Sequence, residues 1–253
     1  MRDWRRWLPP LLLLATLIGA WQIAASTGLL AELLGIESFL VPSPAEVASS
    51  LWDNRPLLAE NTWVTLREVL FGFGCSVVVG LLFAVLLRLS DLLRHAAYPL
   101  LVASQAVPIL ALAPILLVWF GFGIVPKLVI VALVCFFPIT VNALDGLRSV
   151  DPEATKLMRT LYASRWQIFR RVEVPTALPS TFSGAKIAAA IAPIGAVFAE
   201  WAGSSSGLGH LILEDNGLVE TARVFASVTI LAVIGLALFG LVALVERLVV
   251  TWR

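Results

Sequence analysis

Six stretches of the chain are apolar for long enough to cross a bilayer, a length of about 20 residues. They fall at roughly 8–26, 62–86, 96–120, 124–143, 182–202 and 224–246. Lipid offers no hydrogen bonds to an open backbone, so spans of this kind fold as helices. The expectation is an all-α membrane protein of six transmembrane helices. Of its 253 residues, 59% are hydrophobic and 14% charged, whereas a soluble domain is about one quarter charged. Nine tryptophans and thirteen phenylalanines suit anchoring at the two membrane–water interfaces. The formal net charge of +1 argues against a nucleic-acid partner, which calls for a clearly basic face. No internal repeat or low-complexity segment divides the chain, so residues 1–253 read as a single transmembrane domain.

The first span follows "MRDWRRW", a basic flank that admits either a signal peptide or a retained anchor. Its length and the five spans after it favour the anchor, and both readings put the N-terminus in the cytoplasm. Cytoplasmic segments collect Lys and Arg. With the N-terminus inside, Arg2, Arg5, Arg6, Arg88, Arg94, Arg148, Lys156, Arg159, Arg165, Arg170, Arg171, Lys186, Arg247 and Arg253 share one side. Arg55, Arg67, Lys127 and Arg223 take the other, fourteen against four. Both termini are therefore expected in the cytoplasm.

Pro108, Pro114, Pro138 and Pro193 are expected to interrupt the third, fourth and fifth spans and to shape helices around a pathway. Gly184, Ala188, Ala192 and Ala196 recur every fourth residue, a stripe that permits close helix approach. It fits packing within the chain or a contact between subunits. Cys75 and Cys135 read as small buried hydrophobes. His95 and His210 stand alone, and no residue cluster has metal-ligand spacing.

Charge concentrates in residues 145–181, "DGLRSVDPEATKLMRTLYASRWQIFRRVEVPTALPST". Asp151, Pro152 and Glu153 supply an N-cap, a first-turn proline and an acidic first turn. Ala154, Leu157, Met158 and Leu161 then fall at i, i+3, i+4 and i+7, one apolar face. Ser164 with Gln167 forms a capping box for a second short helix. Trp166, Phe169 and Val172 provide its apolar contacts, and Pro175 and Pro179 are expected to stop it. Two amphipathic helices with a break near Tyr162 and Ala163 could lie on the membrane surface. A docking knob for a cytoplasmic partner explains both the shape and the charge.

At this point the sequence resembles a known family, the membrane-spanning permease subunits of bacterial binding-protein-dependent ABC importers. The likeness runs from about Val41 to the C-terminus. "VPSPAEVASSLW" resembles the family's opening signature and "VPILALAPILLVWFGFGIVPKLVIVALVCFFPIT" its central core. "LYASRWQIFRRVEVPTALPSTFSGAKIA" resembles the cytoplasmic loop that docks into the ATPase. The resemblance implies a type I importer permease fold in a bacterial inner membrane. It also implies cytoplasmic ATPase subunits, an extracytoplasmic substrate-binding protein and a second permease copy, most simply as a homodimer. The 145–181 segment becomes the coupling loop, with Leu157, Met158 and Leu161 in an apolar groove and Glu153, Arg159 and Arg165 at its rim. Tyr162, Ala163 and Ser164 make the turn.

One departure stands out. The family loop commonly reads Glu-Ala-Ala, three residues, then Gly; here Lys156, Leu157 and Met158 take the first places and Tyr162 the glycine's. Glycine suits a turn with positive φ, which tyrosine adopts only with strain. Either the turn has another backbone or the coupling geometry changes.

No GxxxxGK[ST] phosphate loop occurs in the chain, so no cofactor is expected in it and ATP is expected on a partner. "GSSSGLG" (203–209) lacks the lysine and reads as a flexible extracytoplasmic turn. Residues 192–216 resemble permeases for pyrimidine precursors of thiamine, within a wider group moving nitrate, sulfonates and taurine. Glu200 reads as the one acid near a span end, Glu68 and Glu246 lying beside Arg67 and Arg247. With Trp201, Pro108 and Pro193 it is the candidate substrate path, although a structural hydrogen-bond role suits it equally. A membrane enzyme would need paired acids, histidines or a nucleophile with its base inside the spans, and the spans contain no histidine. An ion-driven transporter would call for midplane ionisable groups and an inverted repeat.

Overall fold

The computed structural model describes residues 4–252, and every regular element among them is helical. Arg2 and Arg253, used above for orientation, lie outside the described residues, as do the side chains of Arg5 and Arg6. In chain order the α-helices are α1 (Trp4–Ser26), α2 (Leu29–Leu34), α3 (Pro44–Asp53), α4 (Arg55–Leu89), α5 (Asp91–Ser104) and α6 (Ile109–Phe120). They continue as α7 (Ile124–Arg148), α8 (Pro152–Thr160), α9 (Arg165–Ile168), α10 (Val174–Gly203), α11 (Leu208–Gly217) and α12 (Thr221–Val249).

Five helical segments are long and apolar enough to cross a membrane: Leu8–Ser26, Arg55–Leu89, Ile124–Arg148, Arg165–Gly203 and Thr221–Val249. The span expected over 96–120 is not a single helix but the pair α5 and α6, bent by 103° across a short break, and counts as a sixth only when the pair is taken together. Pro108 sits at that break with ψ 114°. A proline has no N–H to donate and pushes the residue before it out of the helical region. Pro114, Pro138 and Pro193, by contrast, lie inside continuous helices. Of the four prolines expected to interrupt spans, only Pro108 does so.

The expected stop at Pro175 and Pro179 is also corrected. After α9 the chain makes a π-helical turn, Phe169–Glu173, and runs straight on into α10. The Val174 N–H reaches back to the Phe169 carbonyl, five residues rather than four. This widened turn changes the hydrogen-bond register just before Pro175, the place where a missing donor would otherwise disrupt the helix. Pro175 then falls in the first turn of α10, where a proline is tolerated.

The centre of the bundle is α7 packed on α4 and α10, with α12 closing the far side of α10. Gly184, Ala188, Ala192 and Ala196 are all buried in α10. A Cβ on Gly184 would stand 2.4 Å from the Pro138 carbonyl of α7. The stripe is therefore spent on packing within the chain. Cys135 is buried, but Cys75 is exposed on α4, and both are free thiols.

Among the described residues, four ion pairs tie separate segments together. Lys127 of α7 meets Glu68 of α4 at 2.7 Å, and Lys186 of α10 meets Glu246 of α12 at 2.7 Å. Arg88 at the end of α4 holds Glu173 at 2.6 Å, and Arg223 of α12 holds Asp215 of α11. Glu68 and Glu246 thus pair with lysines on other helices, not with the adjacent Arg67 and Arg247. Charges buried in a low-dielectric bundle need partners of this kind.

Candidate functional site

The charged segment between α7 and α10 has the two-helix form that its sequence implies. The Asp151 carboxylate accepts the Glu153 N–H at 2.8 Å and starts α8. The Ser164 N–H donates to Gln167 Oε1 at 2.7 Å while Ser164 Oγ accepts the Gln167 N–H at 3.2 Å, a complete capping box. Between them, the Ala163 N–H reaches the Met158 carbonyl and the Tyr162 N–H the Arg159 carbonyl, both at 3.0 Å. Those two bonds define a Schellman turn, whose C′ residue takes the left-handed conformation. Tyr162 occupies it with φ 57°. The turn has the backbone that glycine would supply, and a tyrosine holds it at a cost of about 1–2 kcal/mol.

The apolar face expected at Ala154, Leu157, Met158 and Leu161 divides in two. Ala154 and Met158 are half-buried toward the bundle. Leu157, Leu161 and Trp166 stay 61–67% exposed, and the Tyr162 side chain is 97% exposed. Glu153 pairs with Lys156 at 2.8 Å on the open surface. Arg159 and Arg165 also face solvent, and both line a cavity between α8, α9 and the end of α4.

At the opposite side of the bundle a buried polar cluster joins α4, α7, α10 and α11. Glu200 is 1% exposed. Its Oε1 accepts from Thr65 Oγ1 at 2.6 Å, and its Oε2 accepts the N–H groups of Gly209 and His210. The carboxylate thereby satisfies open donors in the first turn of α11, where a negative charge is also favoured. Thr65 Oγ1 in turn accepts the Leu208 N–H at 2.8 Å, and Asn61 Oδ1 accepts the Gly207 N–H at 2.7 Å. Lys127 donates to Glu68 at 2.7 Å and to Ser204 Oγ at 2.6 Å. Trp201 Nε1 donates to the Gly209 carbonyl at 2.9 Å.

So "GSSSGLG" is stitched down by three helices rather than left as a free turn. Gly207 has φ 113°, and a Cβ there would strike the Glu200 carboxylate. Glycine is required on both counts. Glu200 and Trp201 come together on Gly209. Pro108 lies elsewhere, at the α5–α6 bend, and Pro193 is buried within α10. Reading the sequence for single acids missed Asn61, Thr65 and Lys127. A signal was present: Asn61, Thr65 and Glu68 recur at i, i+4 and i+7, a polar stripe along an otherwise apolar span.

The described residues thus form a bundle of apolar helices with a capped two-helix projection on one side. Residues 76–251 match the family described as the binding-protein-dependent transport system inner membrane component, and the chain belongs to it. It is 36% identical over 247 residues to the formylaminopyrimidine transport permease protein ThiX of Halalkalibacterium halodurans, covering 97% of this chain and 96% of that protein. It is 38% identical over 248 residues to the riboflavin transport system permease protein RibX of Chloroflexus aurantiacus, covering 97% and 90%. The taurine transport system permease protein TauC of Escherichia coli is 28% identical over 243 residues, covering 93% and 86%. Its fold is that of a type I ABC importer permease. A chain of the MetNI methionine ABC transporter superposes with a TM-score of 0.67 at 20% identity, over 78% of this chain and 98% of that one.

Proposed function

We propose that this chain forms the translocation path of an ATP-driven importer for a small polar heterocycle of the thiamine-pyrimidine-precursor class. Two copies form the path, each held by a cytoplasmic ATPase subunit at the 145–181 loop, and an extracytoplasmic binding protein delivers the substrate. Both termini face the cytoplasm. ATP is hydrolysed on the partner, and the loop transmits the resulting movement to the spans as a shift between inward- and outward-open states.

The single observation that carries this reading is the preformed projection α8–turn–α9. Leu157, Leu161, Tyr162 and Trp166 are exposed there together, on the side where the positive charge of the chain collects. Exposed apolar groups on a rigid, capped support are the usual anchors of a protein interface. For the substrate, the support is the 36% identity to ThiX across nearly the whole chain. The relatives named for riboflavin and taurine transport define the competing cargoes, with nitrate and sulfonates in the same group.

The test is uptake in cells lacking their own importers and supplied with this permease, its ATPase and its binding protein. Labelled formylaminopyrimidine should accumulate in an ATP-dependent manner, and excess unlabelled riboflavin or taurine should not compete. Accumulation of riboflavin or taurine instead would move the substrate assignment. Accumulation without the ATPase would overturn the importer mechanism in favour of an ion-driven one.

A further inference from the structure

The cytoplasmic projection has a second face, and that face is basic. On α8, residues two apart are separated by about 200° around the axis. Thr155 and Arg159 therefore point away from Leu157 and Leu161, back toward the end of α4. There they line a cavity of about 220 Å³ with Arg88, Arg165, Phe169 and Glu173. One water needs only about 10–15 Å³ of such space, so the cavity has room for a hydrated anionic group.

The charge is unbalanced. Three arginines face one carboxylate, and Glu173 is already engaged by Arg88 at 2.6 Å. Among the described residues no acid stands within ion-pair distance of Arg159 or Arg165. Arg88 Nε is buried and has no acceptor. Guanidinium forks left without carboxylates suit a phosphate.

The surroundings are those of a membrane interface. Leu89, which also lines the cavity, is 70% exposed, Leu86 50% and Leu92 82%. Phe169 and Ile168 add apolar lining on the side of α9. Basic pockets between helices on the cytoplasmic side hold anionic headgroups. We propose that this cavity binds the phosphodiester headgroup of an anionic membrane lipid, its acyl chains lying over Leu86, Leu89 and Leu92. An acidic side chain of the ATPase fits less well, because the apolar anchors at Leu157 and Leu161 open on the other face of α8. The inference goes beyond the transport reading: the lipid would pin the root of the coupling projection to the bilayer.

The test uses the permease–ATPase complex in nanodiscs of mixed phosphatidylglycerol and phosphatidylcholine, with retained lipids counted by native mass spectrometry. The unmodified complex should keep phosphatidylglycerol preferentially. R159Q/R165Q should reduce that preference by about thirty-fold, the equivalent of ~1 kcal/mol for each arginine. R170Q/R171Q removes the same charge from exposed positions outside the cavity and should retain the preference. Equal loss in both double variants would mean diffuse attraction and overturn the site. So would equal retention of the two lipids by the unmodified complex. Release of phosphatidylglycerol by inorganic phosphate at matched ionic strength would make it a free-anion site and end the lipid assignment. Loss of the ATPase from R159Q/R165Q with lipid preference intact would assign the arginines to the partner protein.

Discussion

The turn at Tyr162 and the turn at Gly207 are both short helix connections with a residue at positive φ, yet they are held in opposite ways. The first depends on its own chain: two Schellman hydrogen bonds, an Asp151 cap and a Ser164–Gln167 box. Among the described residues the hydrogen bonds at its tip are all local, and its tyrosine is 97% exposed. The second is buried and draws its bonds from Asn61, Thr65, Lys127 and Glu200 on three spans. A turn that satisfies itself locally keeps its own shape however the bundle around it is arranged, while the continuous run from α9 into α10 still joins it to a span. A turn bonded to three spans moves only if they move, so it braces that end of the bundle.

That contrast can be broken at its strongest point by Leu161→Asp. A carboxylate at an exposed anchor leaves the capped turn intact but must be desolvated on docking. The expected result is unchanged expression and thermal stability, with loss of the ATPase on co-purification and abolished transport. Retention of the ATPase at wild-type affinity would show that the projection is not the dock.

The brace is tested by Glu200→Ala. Removing the carboxylate leaves the Thr65 hydroxyl and the Gly209 and His210 N–H groups without an acceptor, at about 1–3 kcal/mol for each buried donor. A lower midpoint of thermal unfolding in detergent is expected, with ATPase binding preserved. Glu200→Gln keeps one oxygen acceptor and should fall between the two. Uptake reduced in Glu200→Gln at wild-type stability would instead return Glu200 to the substrate path.

The smallest effect is expected from Tyr162→Gly. Glycine takes the left-handed conformation without the ~1–2 kcal/mol that tyrosine bears, although it adds backbone freedom to the unfolded chain. A turn working under strain should keep or improve substrate-stimulated ATP hydrolysis. A fall in stimulation, with the ATPase still bound, would make the exposed ring itself a contact and sharpen the difference between the two turns.

Most of the α8–α9 projection was legible in the sequence. The caps at Asp151 and Ser164, the first-turn proline and the break at Tyr162–Ala163 depend on residues within a few positions of each other. The brace at Gly207 was legible only in part. Glu200 stood out as an acid near a span end, but its role is decided by Thr65, 135 positions away, and by the Gly209 and His210 N–H groups across the turn. The lone-acid reading failed at Glu68 and Glu246 for the same reason. Their neighbours in sequence, Arg67 and Arg247, sit about 100° around the helix from them, while Lys127 and Lys186 meet them across an interface.

By itself the sequence determined the spans, because hydropathy is summed over consecutive residues and lipid admits few alternatives to a helix. It also determined the caps of α8 and α9, because there each capping side chain bonds the backbone of its own turn. Tertiary structure alone decided which prolines matter. Pro108 bends the chain by 103° between α5 and α6, while Pro138 and Pro193 sit buried inside continuous helices. It likewise turned the small-residue stripe of α10 inward and set a π-helical turn before Pro175. Each of these depends on which helix faces meet, and that is settled by the fit of whole surfaces rather than by the order of residues along one of them.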